Sequence, residues 1–277
     1  MELLKGYYPF TGILGHEFVG RVEKGPKNLL GKRVVGEINA VCHLCWACEN
    51  GRTAHCENRT VLGIVNRNGA FAEYLSLPSE NLYEVPSQIP DDFVVFTEPL
   101  AAALEIQEQV HIQKRDLVLI VGDGKLGLLI AQTLFHTGCT LHIMGKHEKK
   151  LQLLSDFDIL TLKPEDLEER SYDFSIECTG NPEGFLLARK ALRPRGTLIM
   201  KSTYSSHLNI DASSLVVDEI SLVGSRCGPF PKALKMLSEE NINLSPMVHH
   251  RFPIEQGLKA FEEAQKPGVL KVIVEFK

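Results

Sequence analysis

Cys42, Cys45, Cys48 and Cys56 stand in the stretch VCHLCWACENGRTAHC with the spacing C-x2-C-x2-C-x7-C, which narrowly limits how this part of the chain can fold. Three thiols two residues apart on an irregular lobe, joined by a fourth after a short loop, can all point at one tetrahedral centre about 2.3 Å from each sulfur. Such a site is closed. It has no vacant position for a substrate, so the spacing predicts a structural zinc ion that holds a loop and does no chemistry. A disulfide lobe suits small secreted proteins, whereas this chain has 277 residues and no charged-then-apolar leader in MELLKGYYPF. The metal would supply on the order of 10 kcal/mol of local folding energy, because the unfolded loop cannot preform the site.

The rest of the composition bounds the function. Hydrophobic residues make up 44% of the chain and charged residues 23%, enough for buried cores in one large or two ordinary domains of a soluble enzyme. A net charge of −5 leaves no electrostatic footprint for nucleic acid. The longest apolar runs, LVLIV at 117–121 and LGLLIA at 126–131, are too short to span a membrane. The cytoplasm is the expected compartment. Cys139, Cys178 and Cys227 lie in separate apolar segments and read as small buried hydrophobes with inert thiols. No internal repeat or long linker is present.

From Asp116 onward strands alternate with helices: LVLIV, helical KLGLLIAQTLFHTG, TLHIM, helical HEKKLQLLSDF, then strands at YDFSIECTG, GTLIMKS and ISLVGS. That alternation predicts an α/β unit, a Rossmann-like doubly wound parallel sheet with helices on both faces. Its first crossover carries Gly122-Asp123-Gly124-Lys125-Leu126-Gly127, a G-x-G-x-x-G directly after a strand and opening a helix. Glycines also make ordinary tight turns. Here the context is the one the dinucleotide motif demands: Gly122 for the turn, Gly124 for close approach of a pyrophosphate, Gly127 for helix packing. The helix N-terminus adds free N–H groups and dipole charge for the phosphates.

NAD-binding folds normally place an acid at the end of the second strand to accept ribose hydroxyls. Here that strand runs into Met144-Gly145-Lys146-His147, with Lys149 and Lys150 close by. Those cations attract a 2′-phosphate, so the sequence leans towards NADP. The competing readings are that they are solvated helix charges and that Glu148 reaches the ribose.

Gly15-His16-Glu17 precedes the strand-like FVGRVE, and Glu98-Pro99-Leu100 opens the passage to the nucleotide-binding half. One nitrogen and two oxygens could hold a second metal with open positions. A His beside a Glu is equally an ordinary surface pair, and Glu98 is equally a helix cap.

The chain resembles the zinc-containing medium-chain dehydrogenases, the alcohol, sorbitol and threonine dehydrogenase group. GHEFVG (15–20), the cysteine lobe, EPL (98–100), GDGKLG (122–127), ECTG (177–180), RPRGTLIMKS (193–202) and VGSRCG (223–228) carry the likeness in family order. The resemblance implies a GroES-like β-barrel catalytic domain over 1–97, a Rossmann domain over 98–245, and a return to the catalytic domain over 246–277. It implies that His16 and Glu98 ligate a catalytic zinc with Glu17 as a further ligand or outer partner. It also implies that Thr179 and Gly180 lie by the nicotinamide, that Ser225 and Arg226 face the cofactor, and that the protein forms a homo-oligomer.

Family members carry a Cys-x-x-Asp segment whose cysteine is a catalytic-zinc ligand, and this sequence opens at MELLKGYY, just after the place of that motif. The expectation is an N-terminally truncated chain with an incomplete barrel, exposed sheet edges and low activity, through a fragment, a late start or loss of part of the site. The leading function is zinc-dependent hydride transfer between a secondary alcohol or polyol and NAD(P). Phe10, Leu62, Val65 and the segment from Arg226 to Phe230 are candidates for the substrate cleft, and are as readily core or loop residues. The alternative is a dinucleotide-binding scaffold with only the structural zinc. A zinc-free quinone reductase is disfavoured by the cysteine lobe.

Overall fold

The computed structural model describes residues 9–204 and 207–276. The chain forms two compact units, Met1–Ala101 with Pro229–Lys277, and Ala102–Gly228.

The first unit starts with short strands: β1 (Gly20–Arg21), β2 (Arg33–Gly36), β3 (Asn39–Ala40), β4 (Thr60–Leu62), β5 (Asn66–Arg67) and β6 (Leu82–Glu84). They form two three-stranded sheets, β1-β2-β6 and β3-β4-β5. The strand-like FVGRVE is ladder-paired only over β1, where Gly20 and Arg21 face Val34 and Arg33. Val34, Val35 and Ile38 are buried. Arg33 donates to the carbonyls of Pro86 and Ile89, 2.7 Å each, and to Asp91. Those bonds fix the approach to helix α2 (Asp91–Val94), with α1 (Trp46–Glu49) lying earlier, in the cysteine lobe. Helix α3 (Thr97–Gln109) then carries the chain out of this unit.

The second unit is a six-stranded sheet in the order β12-β11-β10-β7-β8-β9, every pair parallel. Its strands are β7 (Leu117–Val121), β8 (Thr140–Met144), β9 (Leu160–Leu162), β10 (Tyr172–Glu177), β11 (Leu192–Met200) and β12 (Ser221–Gly224). The crossovers include α4 (Lys125–Phe135), α5 (Glu148–Leu151), α6 (Pro182–Ala191) and α7 (Ala212–Val217). The strand order reverses between β7 and β10, and a ligand crevice is expected at that switch point. Continuous apolar runs explain the buried strands: Val118, Leu119 and Ile120 are fully enclosed.

The doubly wound sheet is the one expected from sequence, with differences at its margin. The helix expected over 147–157 is only α5 followed by a 3-10 turn at Gln152–Leu154, leaving room for β9 to extend the sheet. Helix α6 begins at Asn181, whose Oδ1 accepts from Gly184 N at 2.8 Å, with Pro182 in the first helical position.

The return segment forms α8 (Phe230–Ser238), β13 (Val248–Pro253), α9 (Gly257–Ala264) and β14 (Lys271–Glu275). Phe230, Ala233, Leu234 and Leu237 make one buried face on α8, and the Phe230 ring stacks on Tyr83 with centroids 5.7 Å apart. This packing groups residues 229–245 with the first unit, so the nucleotide unit ends at Gly228 whereas the sequence reading ran it to 245.

Candidate functional site

In the cysteine lobe, the Sγ atoms of Cys42 and Cys56 are 3.5 Å apart and those of Cys45 and Cys48 are 3.6 Å apart. All four sulfurs lie within 4.8 Å of one another. A tetrahedron with bonds of about 2.3 Å has edges of about 3.8 Å, so the lobe fits zinc. None of the seven cysteines is in a disulfide. The backbone N–H of Leu44 leads the groups that pull the Cys42 thiol down to about 6, while desolvation and neighbouring sulfurs push Cys48 up to about 11. A thiol binds a cation as thiolate, so filling the lobe releases protons. Asn58 donates to the Cys42 sulfur at 3.7 Å, and Arg52 covers the Trp46 ring at 5.2 Å.

His16 is set in place by the turn before it. Gly15 has φ +98°, and Ala70 N donates to its carbonyl at 2.8 Å while Phe71 N donates to Leu14 O at 2.9 Å. A side chain on Gly63 or Gly69 would meet the Gly15 carbonyl oxygen at 2.4 or 2.2 Å, so only glycines let these backbones nest. From this turn the His16 Nε2 reaches to 4.0 Å from Glu98 Oε2. Glu98 sits in the first turn of α3, where the helix dipole favours its charge, next to Thr97, whose hydroxyl donates to Val94 O at 2.6 Å.

Donor atoms of His16, Glu17 and Glu98 all lie within 4.8 Å of one another. The His16–Glu98 separation is wider than the tetrahedral edge of about 3.3 Å for bonds of about 2.0 Å, so a bound ion would draw the two together. Glu17 is differently placed. Its Oε2 is in contact with the ammonium of Lys271, which is almost fully buried, donates to Val95 O at 2.9 Å and lies 4.8 Å above the Phe96 ring. Lys271 has no sequence signal beyond a lone cation at the head of an apolar strand.

In the second unit, a cleft lined by Gly122, Asp123, Gly124, Lys146, His147 and Thr179 among others opens at the switch point. Gly124 is the N-cap of α4 and supplies no side-chain cap, the kind of helix end that can take an anion. A Cβ on Gly127 would lie 2.1 Å from Gly122 O, and one on Gly122 would lie 2.9 Å from the Cys178 sulfur. Desolvation pushes the half-buried Cys178 thiol far up and also raises Cys139, in keeping with inert thiols. Lys125, Leu126 and Gly127 begin the helix behind the lining.

Thr179 and Gly180 are held by a residue that sequence reasoning passed over. Glu177, fully buried, accepts from Thr179 N and Oγ1 at 2.6 Å, from Gly180 N at 3.0 Å and from the Tyr204 hydroxyl at 2.6 Å. Gly180, Ser225 and Arg226 do not line the cleft described above. Lys201 Nζ donates to Ser225 Oγ at 3.0 Å, to Arg226 O at 3.0 Å and to Ala102 O at 2.6 Å, tying these segments together. Among the described residues no helix is long and apolar enough to cross a membrane.

The profile of the alcohol dehydrogenase GroES-like domain matches residues 1–87. An L-threonine 3-dehydrogenase from Shewanella frigidimarina is 30% identical over 285 residues, covering 96% of this chain and 83% of the relative. A sorbitol dehydrogenase from Halalkalibacterium halodurans is 28% identical, covering 98% of this chain and 85% of the relative. A crystal structure from Sinorhizobium meliloti 1021, assigned as a zinc-binding dehydrogenase and bound to NADP, superimposes with a TM-score of 0.90 at 25% identity, covering 99% of this chain and 87% of that one. The chain is thus an oxidoreductase belonging to the zinc-containing medium-chain alcohol dehydrogenase family.

Proposed function

We propose that the protein transfers a hydride between a secondary alcohol or polyol and NAD or NADP, with one zinc on Cys42, Cys45, Cys48 and Cys56 and a second on His16 and Glu98. The observation that carries the reading is the convergence of His16, Glu17 and Glu98 within 4.8 Å of one another. A zinc ion there supplies Lewis-acid stabilisation of the negative charge that develops on a substrate oxygen. The nicotinamide ring supplies the hydride chemistry.

The chain's own residues bind and orient. Lys271 holds the Glu17 carboxylate and so makes it an outer partner that tunes the site's charge, while His16 and Glu98 present the ligand atoms. The open first turn of α4 receives the pyrophosphate. Glu177 fixes Thr179 and Gly180 against the nicotinamide end of the dinucleotide. The partners are small alcohols, with self-association into a homo-oligomer.

Zinc analysis of the purified protein, combined with an assay of secondary alcohols and polyols against both dinucleotides, tests the proposal. Two zinc ions per chain and hydride transfer abolished by His16→Ala support the enzyme. One zinc per chain with dinucleotide binding and no turnover indicates a scaffold that keeps only the structural ion.

A further inference from the structure

We propose that Asp123, the second residue of the glycine-rich turn, does the work usually given to an acid at the end of the second strand, receiving the adenosine ribose hydroxyls and making NAD the preferred dinucleotide. This rests on the nucleotide-site reading given above. In this respect the chain would differ from the Sinorhizobium meliloti protein, which is bound to NADP.

The argument starts from an empty position. In this fold the ribose acid stands roughly 20 residues after the first glycine. Here that place, just beyond β8, is Gly145, which has no side chain. The space is nevertheless filled by Asp123: a Cβ on Gly145 would lie 2.5 Å from both Cβ and Oδ2 of Asp123, and its three nearest atoms would all be Asp123 atoms. Gly145 and Asp123 line the same cleft. The turn therefore delivers to this spot the carboxylate that the strand end does not.

The surroundings hold that carboxylate still and leave it capacity. Its Oδ2 accepts the backbone N–H of His147 at 2.7 Å, the imidazole Nδ1 lies 3.0 Å from both oxygens, and Lys150 Nζ lies 3.7 Å from Oδ1. An ionised carboxylate has about four acceptor positions, so ribose hydroxyls still find lone pairs. The same contacts reduce the case for a 2′-phosphate. His147 and Lys150 face Asp123, and Lys146 Nζ donates to Glu183 Oε2 at 2.9 Å. Three of the four basic residues near the strand end are thus matched with acids. These pairings offset charge on both sides, so the contacts at Asp123 and Glu183 leave His147, Lys150 and Lys146 without surplus charge for a 2′-phosphate, while the Asp123 oxygens remain acceptors suited to hydroxyls.

Fluorescence titration of the full chain with NADH and NADPH tests this. The expected result is NADH bound at least tenfold more tightly, with Asp123→Asn narrowing the preference at least tenfold. Asp123 also anchors the His147 loop, so a second variant guards against simple misfolding. Asp123→Gly combined with Gly145→Asp returns the acid to the strand end and should restore the preference for NADH, with circular dichroism reporting the fold of each variant. NADPH bound as tightly as NADH by the unaltered protein, or a preference unmoved by Asp123→Asn, overturns the assignment. Binding of neither dinucleotide overturns the nucleotide-site reading itself and this assignment with it.

Discussion

Lys271 and Glu17, 254 residues apart in sequence, meet as a cation and a carboxylate inside one compact unit. The lysine side chain is 8% exposed and the glutamate side chain 21%, so neither charge is well solvated alone. Removing one partner of such a pair leaves the other charge uncompensated.

Lys271→Met should therefore destabilise the first unit by about 3 kcal/mol. Chemical denaturation of the variant reads this directly. A change under about 0.5 kcal/mol, the range of neutral surface substitutions, would show the contact to be ornamental.

The cysteine lobe should depend on its metal. Cys48→Ser is expected to lower zinc content by one ion per chain, and a strong chelator should do the same to the unaltered protein. Limited proteolysis would then cut first between Cys42 and Cys56, while β7 to β12 remain protected. Unchanged metal content in the variant would remove the four-sulfur site from consideration.

Gly127→Ala probes the nucleotide turn. The added methyl would lie 2.1 Å from the carbonyl oxygen of Gly122, so α4 has to move away from the turn. Overpacking of this kind costs about 1–3 kcal/mol, and dinucleotide affinity should fall with it. Calorimetric titration that finds normal affinity would contradict the close approach described.

Acid stability should carry a trace of Asp218. Hydrogen bonds from Arg170 and then Arg189 hold its carboxyl below the ordinary value of 3.8, at about 2. A depressed folded value means stabilisation that is complete above about pH 4 and lost as pH falls through about 2. Asp218→Asn should flatten the loss of stability across that interval and leave the slope near neutrality unchanged. A titration of unfolding free energy against pH, with and without the substitution, decides the matter.

Much of this was readable beforehand because it depends on local spacing. The lobe's sulfurs converge because Cys42, Cys45, Cys48 and Cys56 are close in sequence, and the turn at Gly122 is recognisable from its flanking strand and helix. Residues acting across long separations left no such trace. Lys271 looks like any strand-edge cation, Glu177 like one acid in an ECTG segment, and Lys201 like the end of an apolar strand. Asp123 occupies a motif position that admits any residue, and its significance depends on the missing side chain at Gly145. The boundary at Gly228 was equally invisible, since the amphipathic pattern of α8 does not say which core it will cover.

The first unit is closed by a segment that is translated after the whole parallel sheet. While the ribosome is still making β10, Tyr83 has no Phe230 ring to stack on and Glu17 has no Lys271 beside it. Those contacts therefore wait until the intervening sheet has emerged, and apolar surface left uncovered in the meantime is open to aggregation. Circular permutants that bring residues 229–276 ahead of residue 9 should shorten that interval and raise the soluble yield.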